Sequence, residues 1–325
     1  MQSFRFILDR GLFLRRALRC AFSFLLLPAA MVSAQEEVSQ PFQELEELPL
    51  TLYLEVGGEY DNNITVDDTD SNAARGDTKL RFRARIGLDL FDKNDTSLTG
   101  RYSFFQSLHQ DLTDFDLQIH GFSMRGKTKI GRANLGTSYR FDIITLGGSK
   151  FQEVHTIRPD IGLLIAKKTY LTAHYEYRSQ SFEDLRLTER NAERHSVAAK
   201  VFFLLGKGKN ITTGYTLARH NARNNAFTYW GHTADVGLKL PLDDSARPNI
   251  FRLRYRYRQK DFSAITPSIS AVRNDKRHTA RAILELPFGE QFEANIEYKY
   301  INSISNLAVV DYDSHTVRAS LGWSF

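Results

Sequence analysis

Arginine recurs at every second position over Arg252, Arg254, Arg256 and Arg258, and the spacing returns over Arg81, Arg83 and Arg85 behind Lys79. On an extended chain, period two puts such residues on one face. A row of guanidiniums binds anions or sets a positive field along a passage. A second chemistry-bearing stretch is the run 61–70, DNNITVDDTD, whose oxygens suit a hard cation such as Ca²⁺. It lacks the glycine and distal glutamate of an EF-hand loop, so a solvated turn is expected and no metal is assigned. Nine histidines, among them His109, His120, His174, His232 and His315, are scattered one by one. No HExxH, paired metal spacing or nucleophile elbow accompanies them, so no catalytic residue or cofactor is assigned and an enzyme is not expected.

The residues between the arginines say which elements hold them. Phe251, Leu253, Tyr255 and Tyr257 alternate with the 252–258 set, and Leu80, Phe82, Ala84 and Ile86 with the 81–85 set. The apolar face meets lipid, because an arginine near the bilayer midplane costs about 2–4 kcal/mol. Fourteen alternating segments are centred in 50–61, 77–90, 96–105, 115–125, 130–141, 154–166, 170–182, 195–203, 210–220, 229–240, 250–262, 278–286, 292–301 and 316–325. The expected fold is all-β: an up-and-down antiparallel transmembrane β-barrel of about fourteen strands with both termini periplasmic.

Connections alternate in length as that topology requires. Turn formers at 92–95, 126–128, 166–169, 206–209 and 289–291 predict periplasmic turns. Longer polar links at 62–76, 106–114, 184–193 and 263–275 are expected outside. No motif recurs at a fixed period, which argues against a propeller or solenoid. The inward faces also take Arg101, Arg132, Arg140, Arg178, Lys200, Lys239, Arg281, Lys299 and Arg318. Opposing them are Glu55, Glu59, Asp89, Asp116, Glu176, Asp235, Glu285, Glu293 and Glu297. Cross-strand ion pairs are expected to brace this wall, with the second and eleventh segments as the exceptions. Fourteen strands lie near the size at which an aqueous passage opens, and inward Phe105 and Phe202 narrow it. Outward aromatics are expected at both membrane interfaces. Tyr60, Phe104, Phe141, Tyr229 and Tyr312 stand at outer strand ends, and Phe251, Phe292, Trp323 and Phe325 at inner ones.

Residues 1–34 read as a secretory signal peptide: five arginines, an apolar stretch from Ala21 to Leu27, and Val32-Ser33-Ala34 as cleavage site. The apolar run is too short for a spanning helix. Dropping those five arginines and Asp9 leaves 38 basic and 37 acidic residues, so the net +5 falls to +1 and nucleic acid is not an expected partner. Cys20 goes with the signal, leaving no thiol chemistry. Residues 35–49 form an acidic periplasmic lead, a disordered tail or a plug for a basic lumen, and 50–325 the barrel.

The last nine residues, VRASLGWSF, alternate without a fault and resemble the final strand of bacterial outer-membrane β-barrels. The resemblance implies an assembly signal at Trp323 and Phe325. Residues 58–64, GEYDNNI, resemble the first strand of β-barrel porins associated with exopolysaccharide or capsule loci. They are also similar to the barrel domain of surface lipoprotein assembly modifiers, which carry a helical-repeat domain ahead of the barrel.

These readings converge on a porin-like channel of the bacterial outer membrane. Its polar, arginine-rich lumen is expected to pass anionic solutes or polysaccharide, with Arg81, Arg83, Arg85, Arg252, Arg254, Arg256 and Arg258 setting selectivity. The alternatives are a barrel for translocation or assembly of surface proteins or lipoproteins, and a structural or adhesive barrel without a pore. Expected partners are outer-membrane lipid and lipopolysaccharide, the barrel assembly machinery, and an anionic solute or polysaccharide.

Overall fold

Alternating apolar and polar residues leave each strand one face for lipid and one for water, and only closure removes the unpaired edges that lipid would not tolerate. A computed structural model describes residues 50–325, so the proposed signal peptide and acidic lead lie outside the described residues. Fourteen antiparallel strands form a closed barrel. They are β1 (Leu50–Asp61), β2 (Asp77–Lys93), β3 (Thr96–His109), β4 (Leu117–Ile130), β5 (Ala133–Leu146), β6 (Ser149–Ala166) and β7 (Thr169–Phe182). The second half comprises β8 (Ala192–Gly206), β9 (Lys209–Ala222), β10 (Tyr229–Pro241), β11 (Ile250–Thr266), β12 (Ala271–Phe288), β13 (Phe292–Ser305) and β14 (Tyr312–Ser324).

Each strand pairs with its sequence neighbours, and β1 closes on β14 from Tyr53 opposite Ser324 to Asp61 opposite Thr316. Leu52 and Phe325 exchange two backbone hydrogen bonds of 2.9 Å at the rim of that seam. Leu54, Val56, Phe122, Ile157, Val197, Val236, Leu253 and Val317 are all exposed on the outer surface. These are the positions that period two assigns to lipid.

Turns of two or three residues join strands at one end, apart from the eight residues 242–249 between β10 and β11. In the β2–β3 turn Asn94 and Asp95 both have positive φ, 52° and 62°, the conformation that suits strand twist in a tight hairpin. The turn expected at 126–128 is absent: β4 runs on to Ile130, and the chain reverses at Gly131, where φ is 58°. Arg132 therefore leaves the inward set and sits in that turn. Residues 126–128 read as a turn because composition alone does not distinguish a turn from a strand end at the membrane's edge.

The same ambiguity misplaces the link at 263–275. β11 and β12 extend through it, with a register shift between Asp261 and Ile265 and pairing resumed at Ile265–Val272. The reversal occupies Pro267–Ile269, followed by Ser270 at φ 51°. Polar residues can form a ladder as well as apolar ones once a strand leaves lipid. This extension carries Arg273 and Asp275, which anchor the loop described next.

Candidate functional site: a lumen crossed by an acidic loop

The strand parity that sends Phe251, Leu253, Tyr255 and Tyr257 outward turns the arginines between them inward, where most meet carboxylates on neighbouring strands. Arg252 grips Glu285 through Nε at 2.5 Å and Nη2 at 3.0 Å. Arg254 reaches Asp235 at 3.1 Å, and Lys200 approaches the same carboxylate at 3.8 Å. On the β1–β2 wall Arg83 reaches Glu55 at 3.4 Å, and Glu59 is held between Arg81 and Lys79, the latter at 3.0 Å. Glu297 takes Arg281 at 2.8 Å and Arg318 on its other side. The expectation of cross-strand bracing thus extends to the second and eleventh segments, read as its exceptions.

Five inward arginines have no carboxylate within 4 Å among the described residues: Arg85, Arg101, Arg158, Arg178 and Arg256. Arg85 lies over the Tyr53 ring at 4.9 Å instead.

Residues 62–76 do not stand outside. After β1 the chain folds into the barrel as a small hairpin, Thr65–Val66 against Ser71–Asn72, with Asp67–Asp70 at its tip. Ile64 is buried at its root, and Asp70 takes a positive φ of 55°. Asp67 pairs with Arg277 and lies 3.5 Å from Arg258. Asp70 accepts both Nη atoms of Arg273 at 2.9 Å and Nη1 of Arg190 at 2.9 Å. Asp275 secures the other edge of Arg273 at 2.7 Å. Arg190 belongs to the β7–β8 link, halfway round a ring of fourteen from β1, so the loop crosses the lumen.

Burial alone would raise the carboxyls of this loop. The charge and hydrogen bond of Arg277, with Arg258 and Lys260 beyond, outweigh it and hold Asp67 well below the usual carboxylate range. Hydrogen bonds and charge from Arg273, then Arg190, do the same for Asp70. Both acids stay ionised and latched near neutral pH. The solvated turn expected for 61–70 is therefore corrected: Asp61 accepts from Ser314 at 2.8 Å and Thr316 at 3.1 Å, and Asp67 and Asp70 face guanidiniums.

The loop divides the outer lumen into two compartments. A cavity of about 440 Å³ lies between it and a wall that includes Leu117, Ile119, Ile144 and Leu146. A second, of about 160 Å³, lies on its far side, where Arg178, Arg190, Arg194, Arg258, Lys260 and Arg273 share the lining with Asp67, Asp68 and Asp70. Tyr229 and Tyr312, expected outward, face these compartments. Tyr229 stacks on His220 with ring centroids 4.6 Å apart, and Tyr312 accepts from Arg277 at 3.0 Å. Each stands where its strand begins, where parity is hardest to read from sequence.

A closed barrel belted by exposed apolar side chains and enclosing charge is built to span a membrane. OmpT, an outer membrane protein of Vibrio cholerae, matches it with a TM-score of 0.51 at 8% identity, over 85% of this chain and 97% of that one. The fold is that of an outer-membrane β-barrel. The anion-selective porin from Comamonas acidovorans has a TM-score of 0.49 at 9% identity, covering 86% and 99% of the two chains. OprD from Pseudomonas aeruginosa has 0.45 at 10%, covering 91% and 99%. No family model matches the chain, and no curated protein matches it in sequence. At these identities the likeness concerns fold alone.

Within this outer-membrane barrel, the seven arginines singled out by spacing differ in their contacts. Arg81, Arg83, Arg252, Arg254 and Arg258 hold carboxylates, while Arg85 and Arg256 do not. The residues that grip the loop, Arg190, Arg273 and Arg277, carry no alternating signature of their own. Their one sequence-level signal is charge complementarity with the acidic run 61–70.

Proposed function

We propose that the barrel is a porin-like conduit of the outer membrane for small anionic solutes, narrowed at its outer end by residues 62–76. One observation carries the reading. Six cationic side chains surround the 160 Å³ compartment, and three of them, Arg190, Arg258 and Arg273, are neutralised by carboxylates of the chain's own loop. A site that holds aspartate carboxylates this way has the chemistry to hold carboxylate or phosphate groups of a solute. Arg85, Arg101, Arg158, Arg178 and Arg256 extend the positive field along the wall. The resemblance of residues 58–64 to exopolysaccharide-associated porins makes an acidic saccharide one member of this class.

Reversal potentials in planar bilayers under a salt gradient test the proposal. A unit charge about 7 Å from a permeating ion is worth about 0.6 kcal/mol in water, before screening. Each unit removed then changes the permeability ratio about two- to threefold. The unmodified channel is expected to prefer anions, and Arg85→Glu with Arg256→Glu to shift it toward cations. A cation-preferring parent would overturn the reading. Arg252→Gln, whose parent residue is already neutralised by Glu285, is expected to change selectivity far less.

A further inference from the structure

The histidines read as scattered are ordered in space. Six of the seven hairpins that close on the outer side carry the same outward-facing pair, a tyrosine on the rising strand and a histidine on the descending one. They are Tyr102–His120, Tyr139–His155, Tyr175–His195, Tyr215–His232, Tyr255–His278 and Tyr298–His315. Tyrosine Oη lies 2.6–2.8 Å from histidine Nδ1 in every one. Directly opposite the histidine stands Phe104, Phe141, Tyr177, Leu217, Tyr257 or Tyr300. A motif does therefore recur, Tyr-x-Phe/Tyr/Leu followed by His-x-apolar, at a spacing that varies with loop length. The seventh hairpin, β1–β2, whose loop turns inward, has Val56 and Leu80 in the equivalent places.

Height gives the pairs a meaning. The six tyrosines stand five or six residues from the periplasmic ends of their strands, and the six histidines nine to eleven. With about 3.3 Å per residue and a tilt near 40°, the histidines ride about 23–28 Å above the periplasmic rim. That is the top of an apolar band about 25 Å tall, while the tyrosine rings begin near its middle.

A tyrosine hydroxyl in hydrocarbon needs an acceptor, since an unmet polar group there costs several kcal/mol. Histidine Nδ1 supplies it. Donation by the hydroxyl assigns the proton to Nε2, because the reverse direction would strand the O–H in lipid. Each pair then ends in one Nε2–H donor, and all six donors lie at one level on the outer surface.

We propose that this girdle of Nε2–H donors binds the acyl-ester carbonyl oxygens of the surrounding outer-leaflet lipid and so sets the depth at which the barrel rides. Ester carbonyls are the first acceptors met on leaving hydrocarbon, which is where the donors emerge. The proposal rests on the outer-membrane reading but not on conduction.

The test places the ¹⁵N-histidine-labelled, unmodified barrel in nanodiscs of dimyristoyl phosphatidylglycerol and of its diether analogue, which lacks ester carbonyls. Six Nε2–H tautomers are expected, with ring contacts to glycerol protons and a change in their Nε2–H shifts on passing to the diether lipid. Nδ1–H tautomers, contacts to acyl terminal methyls, or identical shifts in both lipids would overturn it. A barrel that does not insert at all would instead refute the membrane reading. In a Trp323→Tyr background, Trp230 reports depth beside the girdle. Replacing the six histidines with phenylalanine is expected to move its quenching maximum to lipid brominated deeper in the chain, and an unmoved maximum would also overturn the proposal.

Discussion

Replacing Asp67 and Asp70 with asparagine should release the loop that crosses the outer lumen. Asp70 holds Arg273 with two hydrogen bonds of 2.9 Å and Arg190 with a third, and the Arg273 side chain is only 3% exposed. Breaking a buried pair by removing one partner costs about 3–5 kcal/mol. Arg273 keeps Asp275 at 2.7 Å, so we take about 2–3 kcal/mol for this site. The Asp67 side chain is 42% exposed, and solvent screening reduces its share to about 0.5–1 kcal/mol. Asp70 alone then raises the loop-open population about 30- to 140-fold, at about 1.4 kcal/mol per decade. Single-channel recording in 1 M KCl reads this directly. The Debye length there is about 3 Å, so lost charge by itself has little effect on conductance while an opened path raises it. A natively folded double variant with parental conductance and open probability would refute the reasoning.

Because both carboxyls are depressed, their contribution to latching is complete above the ordinary unfolded value near 4 and is lost only as pH falls through the lower folded values. Conductance is therefore expected to stay flat from pH 5 to 8 and to rise only on strong acidification, as a bilayer titration checks. Gly57→Ala should weaken the seam, since a Cβ there meets the Ala319 carbonyl oxygen at 2.6 Å. A destabilisation of about 1–3 kcal/mol is expected in urea titrations from lipid vesicles. Glu297→Ala, which leaves Arg281 and Arg318 without their shared carboxylate, should cost about 3 kcal/mol in the same assay. Anion preference should fall as KCl rises from 0.1 to 1 M, because screening shortens the reach of wall arginines, and reversal potentials follow it.

Much of the barrel was legible before any coordinate, because alternation is a local property and lipid punishes a wrong face. Strand number, the outward set around Leu253 and Tyr255, and the inward direction of Arg252 to Arg258 all follow from period two. The reading erred where lipid no longer disciplines the pattern. Gly126 to Thr128 lie at the inner edge of the apolar band and the 263–275 stretch beyond its outer edge, so polar composition there did not separate strand from turn. Tyr229 and Tyr312, at strand starts, had too few neighbours to establish parity.

The sequence by itself determined an address, a strand count and a parity, since each depends on residues within a few positions of one another. Only the tertiary structure decided what the charges do. Asp70 and Arg273 are 203 residues apart and Asp67 and Arg277 are 210, brought together because barrel closure sets β12 three strands from β1. The same closure aligned six tyrosines and six histidines into one level. Coulomb attraction and hydrogen bonding act over a few ångströms of space, and spacing along the chain does not measure that distance.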